Sequence, residues 1–267
     1  MAYNPHQRPM VAVDQMGREV RFNYPPLRIV SLVPSQTELL FDLGLRKQLE
    51  GVTKFCVHPP DARHRRIIGG TKNFDFTKIR DAQPDLIIGN KEENYQEGIA
   101  KLERHYPVWM SNVADLPDAL HMIRSIGAIT GQSCVAEPLA AGIDTSFAAL
   151  PALGRPLVTA AYFIWRRPYM VAAGGTFIND MLRRAGFTNV FGALGRYPEV
   201  APEQLRAAAP ARIFLSSEPY PFGEKHRVEF QAICPAARVQ VVDGELFSWY
   251  GSRLQRAASY LGELAIS

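Results

Sequence analysis

Ile79-Arg80-Asp81-Ala82-Gln83-Pro84-Asp85-Leu86-Ile87-Ile88-Gly89 reads as a short helix, a proline stop and a continuous apolar run. The residue before a proline is pushed out of the helical region, so the helix ends ahead of Pro84. The unbroken apolar run behind it lacks the alternation of a half-exposed strand and suits a strand buried on both faces of a parallel sheet. The pattern returns as Leu205-Arg206-Ala207-Ala208-Ala209-Pro210-Ala211-Arg212-Ile213-Phe214-Leu215, with Pro210 standing 126 residues after Pro84, and the same register carries Glu92 onto Glu218. A weaker echo, at an offset of 142, relates Leu39-Leu40-Phe41-Asp42-Leu43-Gly44-Leu45 to Met181-Leu182-Arg183-Arg184-Ala185-Gly186-Phe187. Two offsets differing by 16 residues imply an insertion rather than a tandem array. The chain reads as two similar α/β lobes.

Outward from these echoes, residues 11–13 and 19–22 flank Asp14-Gln15-Met16-Gly17 and predict an opening hairpin. A strand over 28–33 stops at Pro34, and Ser35-Gln36-Thr37-Glu38 has the spacing of a capping box for a helix that runs to Gly44. Residues 116–130 and 132–150 are helical by composition, separated by Gly131 and closed by Pro151 and Gly154-Arg155-Pro156, with Pro138 as a kink or true start in the second stretch. About 19 helical residues make a rod of roughly 28 Å, enough to join two lobes stiffly. A strand over 157–163, a helix from near Thr176, a strand over 239–242 and a helix over 253–264 complete the second lobe. The expected organisation is an N-terminal hairpin (1–26), an N-terminal α/β lobe (27–131), a connecting helix (132–154) and a C-terminal α/β lobe (155–267).

The composition fits this. The 267 residues are 47% hydrophobic and 21% charged, with 30 Lys plus Arg against 26 Asp plus Glu, which suits one large domain or two lobes at about 150 residues per domain. The basic residues come as pairs and form no long run, so nucleic acid is not an expected partner. Three cysteines, Cys56, Cys134 and Cys234, without C-x-x-C spacing give neither a disulfide framework nor a four-thiolate zinc site. No stretch reaches the ~18 apolar residues of a membrane span, and the first residues lack the roughly 7–15-residue apolar core of a secretory signal. Together with the unpaired cysteines, this sets the expected location as cytoplasmic, with the periplasm as the alternative if a signal has been removed. No dinucleotide fingerprint, phosphate loop, nucleophile elbow or H-E-x-x-H occurs, so an enzyme is not expected. Gly127 to Gly131 belongs to a helix end.

The residues that stand out follow the strand ends, where ligands sit in open α/β sheets. They are Phe55, with Cys56 and His58 close behind, then Lys91 and Glu92, then Trp165, Arg166 and Tyr169, and finally Trp249, Tyr250 and Arg253. Aromatic loops with scattered charges suit a large planar or chelate ligand, whose faces stack while polar groups fix its orientation. Phe55, Trp165, Tyr169, Trp249 and Tyr250 are the expected stacking surfaces; Lys91, Glu92, Arg166 and Arg253 are the expected anchors. Cys56 and His58, two residues apart, are a weaker metal-ligand pair. They carry the alternative reading, an intracellular metal-handling protein or enzyme that reuses the fold.

Taken together, Val13-Asp14-x-x-Gly17-Arg18, Arg28-Ile29-Val30-Ser31-Leu32-Val33-Pro34-Ser35-x-Thr37-Glu38, Gly69-Gly70-Thr71, Pro84-Asp85-Leu86-Ile87-Ile88 and Thr176-Phe177-Ile178-Asn179-Asp180-Met181-Leu182 make the chain resemble the helical-backbone (class III) periplasmic binding proteins. These are the cobalamin-binding and iron-siderophore-binding components of ABC importers, and here the resemblance is to a form without a signal peptide. It spans nearly the whole chain. It implies two Rossmann-like lobes joined by a single long helix, with a ligand cleft between the lobes. It also implies a substrate-binding protein for a metal chelate of the corrinoid, haem or iron-siderophore class, bound without covalent attachment by a monomer. By position, the family's cleft residues fall on Phe55, Trp165 and Trp249, whereas Thr71 and Asn90 stand where the cobalamin binder has tryptophans. The resemblance further implies an ABC permease as partner, docked through surface glutamates. Glu203 occupies the second-lobe position and Thr77 the first.

Overall fold

The computed structural model describes residues 7–150 and 158–266, so the breakers expected at Pro151 and Gly154-Arg155-Pro156 lie outside the described residues. The chain divides into two compact units. One comprises Met1–Val113, Pro117–Gly142 and Tyr250–Arg253; the other comprises Ala114–Leu116, Ile143–Trp249 and Leu254–Ser267. One boundary between the units falls between Gly142 and Ile143, inside the helix Ser133–Ala148 and within the expected connecting segment 132–154.

In the first unit, β1 (Arg8–Val13) and β2 (Glu19–Tyr24) form the expected antiparallel hairpin. Asp14 tightens its turn by accepting the N–H groups of Met16 and Arg18, each at 2.9 Å. There follow β3 (Ile29–Ser31), α1 (Pro34–Asp42), β4 (Leu49–Val52), β5 (Arg66–Ile67), β6 (Gly69–Gly70), β7 (Asn73–Phe74), α2 (Phe76–Ala82), β8 (Leu86–Asn90), α3 (Gln96–Glu103), β9 (Val108–Ser111), α4 (Leu116–Thr130) and the start of α5 (Ser133–Ala148). Strands β5-β4-β3-β8-β9 lie in that order in one parallel sheet, and β6 and β7 make a separate small hairpin. The apolar run Leu86–Ile88 is fully buried at the sheet centre, as its lack of alternation requires.

The expected capping box does not form. Pro34 has its φ preset for a first helical turn and takes that place, so the helix begins two residues early with Val33 as its cap and no side-chain cap bond. Thr37 Oγ1 donates to the Val33 carbonyl at 3.0 Å, and Glu38 is left for another partner.

The second unit contains β10 (Val158–Trp165), β11 (Met170–Val171), α6 (Phe177–Arg184), β12 (Phe187–Asn189), α7 (Pro202–Ala208), β13 (Arg212–Ser216), α8 (Glu224–Ile233), β14 (Arg238–Val242), α9 (Gly244–Ser248) and α10 (Leu254–Ile266). β12 runs parallel to β10 along its first residues, β11 pairs antiparallel with its last, and β13 and β14 continue the parallel sheet on the other side. The order β12-β10-β13-β14 repeats β4-β3-β8-β9.

The echoes in the sequence are echoes in the backbone. At the first offset, α2 and α7 end on Gln83 (φ 46°) and Ala209 (φ 42°), left-handed residues placed just before the two prolines. At the second, α1 and α6 end ahead of Gly44 (φ 81°) and Gly186 (φ 82°), where glycine accepts the left-handed turn without a Cβ penalty. Even the exits match: Asn90 Oδ1 accepts the Glu92 N–H at 2.8 Å, and Ser216 Oγ accepts the Glu218 N–H at 3.4 Å.

Candidate functional site

In an open parallel sheet, the first strand sends its connections to one side and a later strand sends them to the other. Ligands bind outside the carboxyl ends of the strands at that reversal. In the first unit the reversal falls between β3 and β8, and in the second between β10 and β13.

In the first unit, buried Asn90 ends β8 and turns the chain by accepting the N–H groups of Glu92 and Glu93. Asn94 binds back to the Asn90 N–H at 2.9 Å and donates to the carbonyls of Thr71 (3.1 Å) and Leu32 (3.3 Å). The loops after β3 and β8 and the β6–β7 turn are thereby held together. Lys72 Nζ donates to the Glu92 carbonyl at 2.6 Å, while Lys91 is exposed. Phe55, beyond β4, is 51% exposed, and the Lys54 ammonium lies 5.0 Å from its ring centre. Cys56 is turned inward: its sulfur lies 3.1 Å from Thr37 Oγ1 and 3.2 Å from Thr53 Oγ1, and burial pushes the thiol up from its ordinary range. His58 is half-buried beside Pro59. Among the described residues, no group of three or more His, Cys, Asp and Glu side chains could hold a metal ion.

In the second unit, Trp165 ends β10 with 40% of its surface exposed. Its indole N–H donates to the Arg167 carbonyl at 3.1 Å, and the Tyr220 ring packs edge-on at 5.5 Å between centroids. Arg166 and Tyr169 share a partner on α8: Glu229 accepts Arg166 Nε at 2.9 Å and also the Tyr169 hydroxyl. Burial, then the Glu229 carboxylate, pushes the Tyr169 phenol up to about 12. Burial also acts to raise Glu229, but the hydrogen bonds from Tyr169 and Arg166 outweigh it and hold this carboxyl below its ordinary range. Trp249 is buried, its indole N–H donating at 2.9 Å to Glu218 Oε1, which accepts Ser248 Oγ at 2.8 Å as well. Burial, ahead of Glu245 and Asp243, raises the Glu218 carboxyl.

The expected site residues thus divide. Phe55 and Trp165 present aromatic faces, Lys91 is exposed and Glu92 is half-buried, whereas Arg166 and Tyr169 are already engaged. Tyr250 and Arg253 are buried in the first unit, where Arg253 forms a two-pronged pair with Glu38, Nε to Oε2 at 2.8 Å and a terminal nitrogen to Oε1 at 2.7 Å. Sequence reading missed Lys54, Glu229 and His226, while Tyr220 stands in the strand-end stretch Ser216-Ser217-Glu218-Pro219-Tyr220. Glu218 had a further signal, its echo of Glu92. Glu203 lies exposed on the first turn of α7, 3.0 Å from Arg206, and Thr77 takes the matching place on α2.

The family model of periplasmic binding proteins matches residues 29–231. The chain belongs to that family. A vitamin B12-binding protein of Vibrio vulnificus (strain CMCP6) is 28% identical over 196 residues, covering 72% of this chain and 72% of the relative. The crystal structure of the periplasmic vitamin B12-binding protein of Vibrio cholerae superposes with a TM-score of 0.79 at 22% identity, covering 91% of this chain and 99% of that one. A periplasmic heme-binding protein of Roseiflexus sp. RS-1, in its apo form, gives a TM-score of 0.77 at 24% identity, covering 90% and 96%. These likenesses fix the fold: two Rossmann-like α/β units of the periplasmic binding protein kind.

Proposed function

We propose that this periplasmic binding protein captures a metal chelate with a broad stackable face, of the corrinoid, haem or iron-siderophore class, and presents it to an ABC permease without chemical turnover. The observation that carries the reading is the pairing of an exposed aromatic ring with a cation where ligands meet this fold. Phe55 with Lys54 lies at the strand ends of the first unit, and Trp165, with the exposed Arg167 two residues on, lies at the reversal of the second. An aromatic face is apolar and carries a quadrupole, so it accepts a flat ligand, while the neighbouring cation meets a carboxylate, phosphate or amide oxygen at the ligand's edge. The names of the relatives support the class, since they bind vitamin B12 or haem. They also support action in the periplasm, which cell fractionation tests.

Permease docking rests on Glu203, whose side chain is 75% exposed on α7. The matching Thr77 on α2 is neutral, so we propose docking through one carboxylate rather than two.

The decisive experiment is titration of intrinsic tryptophan fluorescence, with calorimetry in parallel, against cyanocobalamin, haemin and ferric ferrichrome. Saturable quenching by one of them is the expected result. The absence of both quenching and heat with all three would overturn the ligand class.

A further inference from the structure

Beside Trp165 lies a polar arrangement that neither the sequence motifs nor the family resemblance assigns. His226, on the first turn of α8, is 2% exposed, and its ring nitrogens are used in opposite senses. The Gly223 N–H donates to Nδ1 at 2.9 Å. A nitrogen that accepts an N–H carries no proton of its own, so the neutral ring holds its hydrogen on Nε2. That nitrogen stands 3.1 Å from the Tyr220 hydroxyl, so it is the donor and the phenol oxygen accepts. The Arg166 guanidinium, also a donor, interacts with the same phenol. With donors facing its oxygen, Tyr220 keeps its own hydroxyl proton for a further acceptor, and none is found among the described residues. The Tyr220 ring is fixed meanwhile against Trp165, Phe222 and His226 at centroid distances of 5.5, 4.7 and 5.3 Å.

We infer that Tyr220 is a further ligand-contacting residue, which donates its hydroxyl proton to an oxygen at the edge of a ligand stacked on Trp165, and that His226 is the residue that positions it. This deepens the proposed function and rests on it. It narrows the ligand to a flat chelate with a carboxylate, amide or hydroxamate oxygen within reach of the second unit's aromatic loop.

Protonating His226 would put a hydrogen on Nδ1, directly facing the Gly223 N–H, and would break the bond that orients the ring. Burial, then Lys225 and Arg166, disfavours that charge, and Glu229 is the opposing carboxylate; Glu224 and Arg227 lie on the same helix and pair with each other. The imidazole therefore stays neutral to below the ordinary histidine range near 6.5. Ligand affinity is expected to hold through neutral pH and to fall on acidification past that range.

The test uses the full chain and whichever of cyanocobalamin, haemin or ferric ferrichrome the wild type binds. Tyr220→Phe keeps the ring and removes the hydroxyl, and should weaken binding about three- to tenfold, the worth of one hydrogen bond. His226→Asn keeps an acceptor for the Gly223 N–H but cannot reach Tyr220. It should lose a similar factor, flatten the acid limb of the affinity profile and add nothing to Tyr220→Phe in the double variant. Nitrogen NMR of the apo protein should show the Nε2–H tautomer. Wild-type affinity in folded Tyr220→Phe, additive losses in the double variant or an Nδ1–H tautomer would each overturn the inference while leaving the chelate reading intact. If the wild type binds none of the three chelates, the chelate reading fails and the ligand role of Tyr220 falls with it.

Discussion

Replacing Arg253 by methionine is expected to cost the first unit much of its stability while leaving ligand affinity unchanged in the molecules that fold. The Arg253 and Glu38 side chains are 7% and 10% exposed, and two of the guanidinium nitrogens meet the two carboxylate oxygens at 2.7 and 2.8 Å. Methionine retains the bulk of the arginine stem but leaves the Glu38 carboxylate buried opposite an apolar group. Breaking one side of such a pair typically costs about 3–5 kcal/mol, because the remaining charge is desolvated without compensation. At about 2–4 °C per kcal/mol for a protein of this size, the melting temperature should fall by roughly 6–20 °C. The buried pair as a whole contributes much less than its breakage suggests, so Arg253→Met combined with Glu38→Leu should recover all but about 1 kcal/mol. Urea unfolding of the wild type, both single variants and the double variant closes the cycle. A single-variant loss below about 1 kcal/mol, or a double variant no better than Arg253→Met, would refute the reasoning. Weakened chelate binding by the folded single variant would return Arg253 to the ligand anchors.

Phe55→Ala and Trp165→Ala, at exposed positions, should leave the melting temperature nearly unchanged and weaken chelate binding about tenfold each by calorimetry. In Asp180→Asn, the substituted side chain is one that accepts the Leu116 N–H at 3.0 Å and pairs with Arg184 at 2.6 Å. Burial works against the Asp180 charge, but these bonds prevail and lower its pKa, so its contribution is present above the ordinary aspartate range and lost as pH falls through the depressed value. The variant should lose about 1–3 kcal/mol at neutral pH, with the difference from wild type vanishing in acid unfolding. Gly69 has φ 110°, and a Cβ there would stand 2.4 Å from the Asn73 carbonyl oxygen, so Gly69→Ala should cost about 2 kcal/mol or more in urea midpoint measurements.

The architecture was legible because its signals are local. Apolar runs announced β8 and β13, prolines marked the ends of α2 and α7, and Gly44 and Gly186 marked those of α1 and α6, all within a few residues of the element concerned. What escaped was short or decided from outside. β5, β6 and β7 are two residues each, too brief for any periodicity, and exist because neighbouring strands satisfy their backbone groups. The capping box failed through competition between two local rules, the cap preference of Ser35 and the fitness of Pro34 for the first helical turn, and the proline prevailed.

The site was legible only as residue types in the right loops. Sequence reading placed Arg166 and Arg253 among the ligand anchors because arginine meets carboxylates and stacks on rings. Whether an arginine is available depends on its partners, and these come from far along the chain: Glu229 is 63 residues from Arg166, and Glu38 is 215 residues from Arg253. No local pattern encodes such pairings. Their effect is directional, because each removes a cation from the inventory that the loops appeared to offer. Lys54 and Lys91 in the first unit and Arg167 in the second, all exposed, have no carboxylate partner among the described residues and stay free to meet an anionic ligand group. In the second unit Arg166 is already matched by Glu229, and the groups left for a ligand there are the Trp165 face, the exposed Arg167 and the phenol that His226 holds beside Trp165.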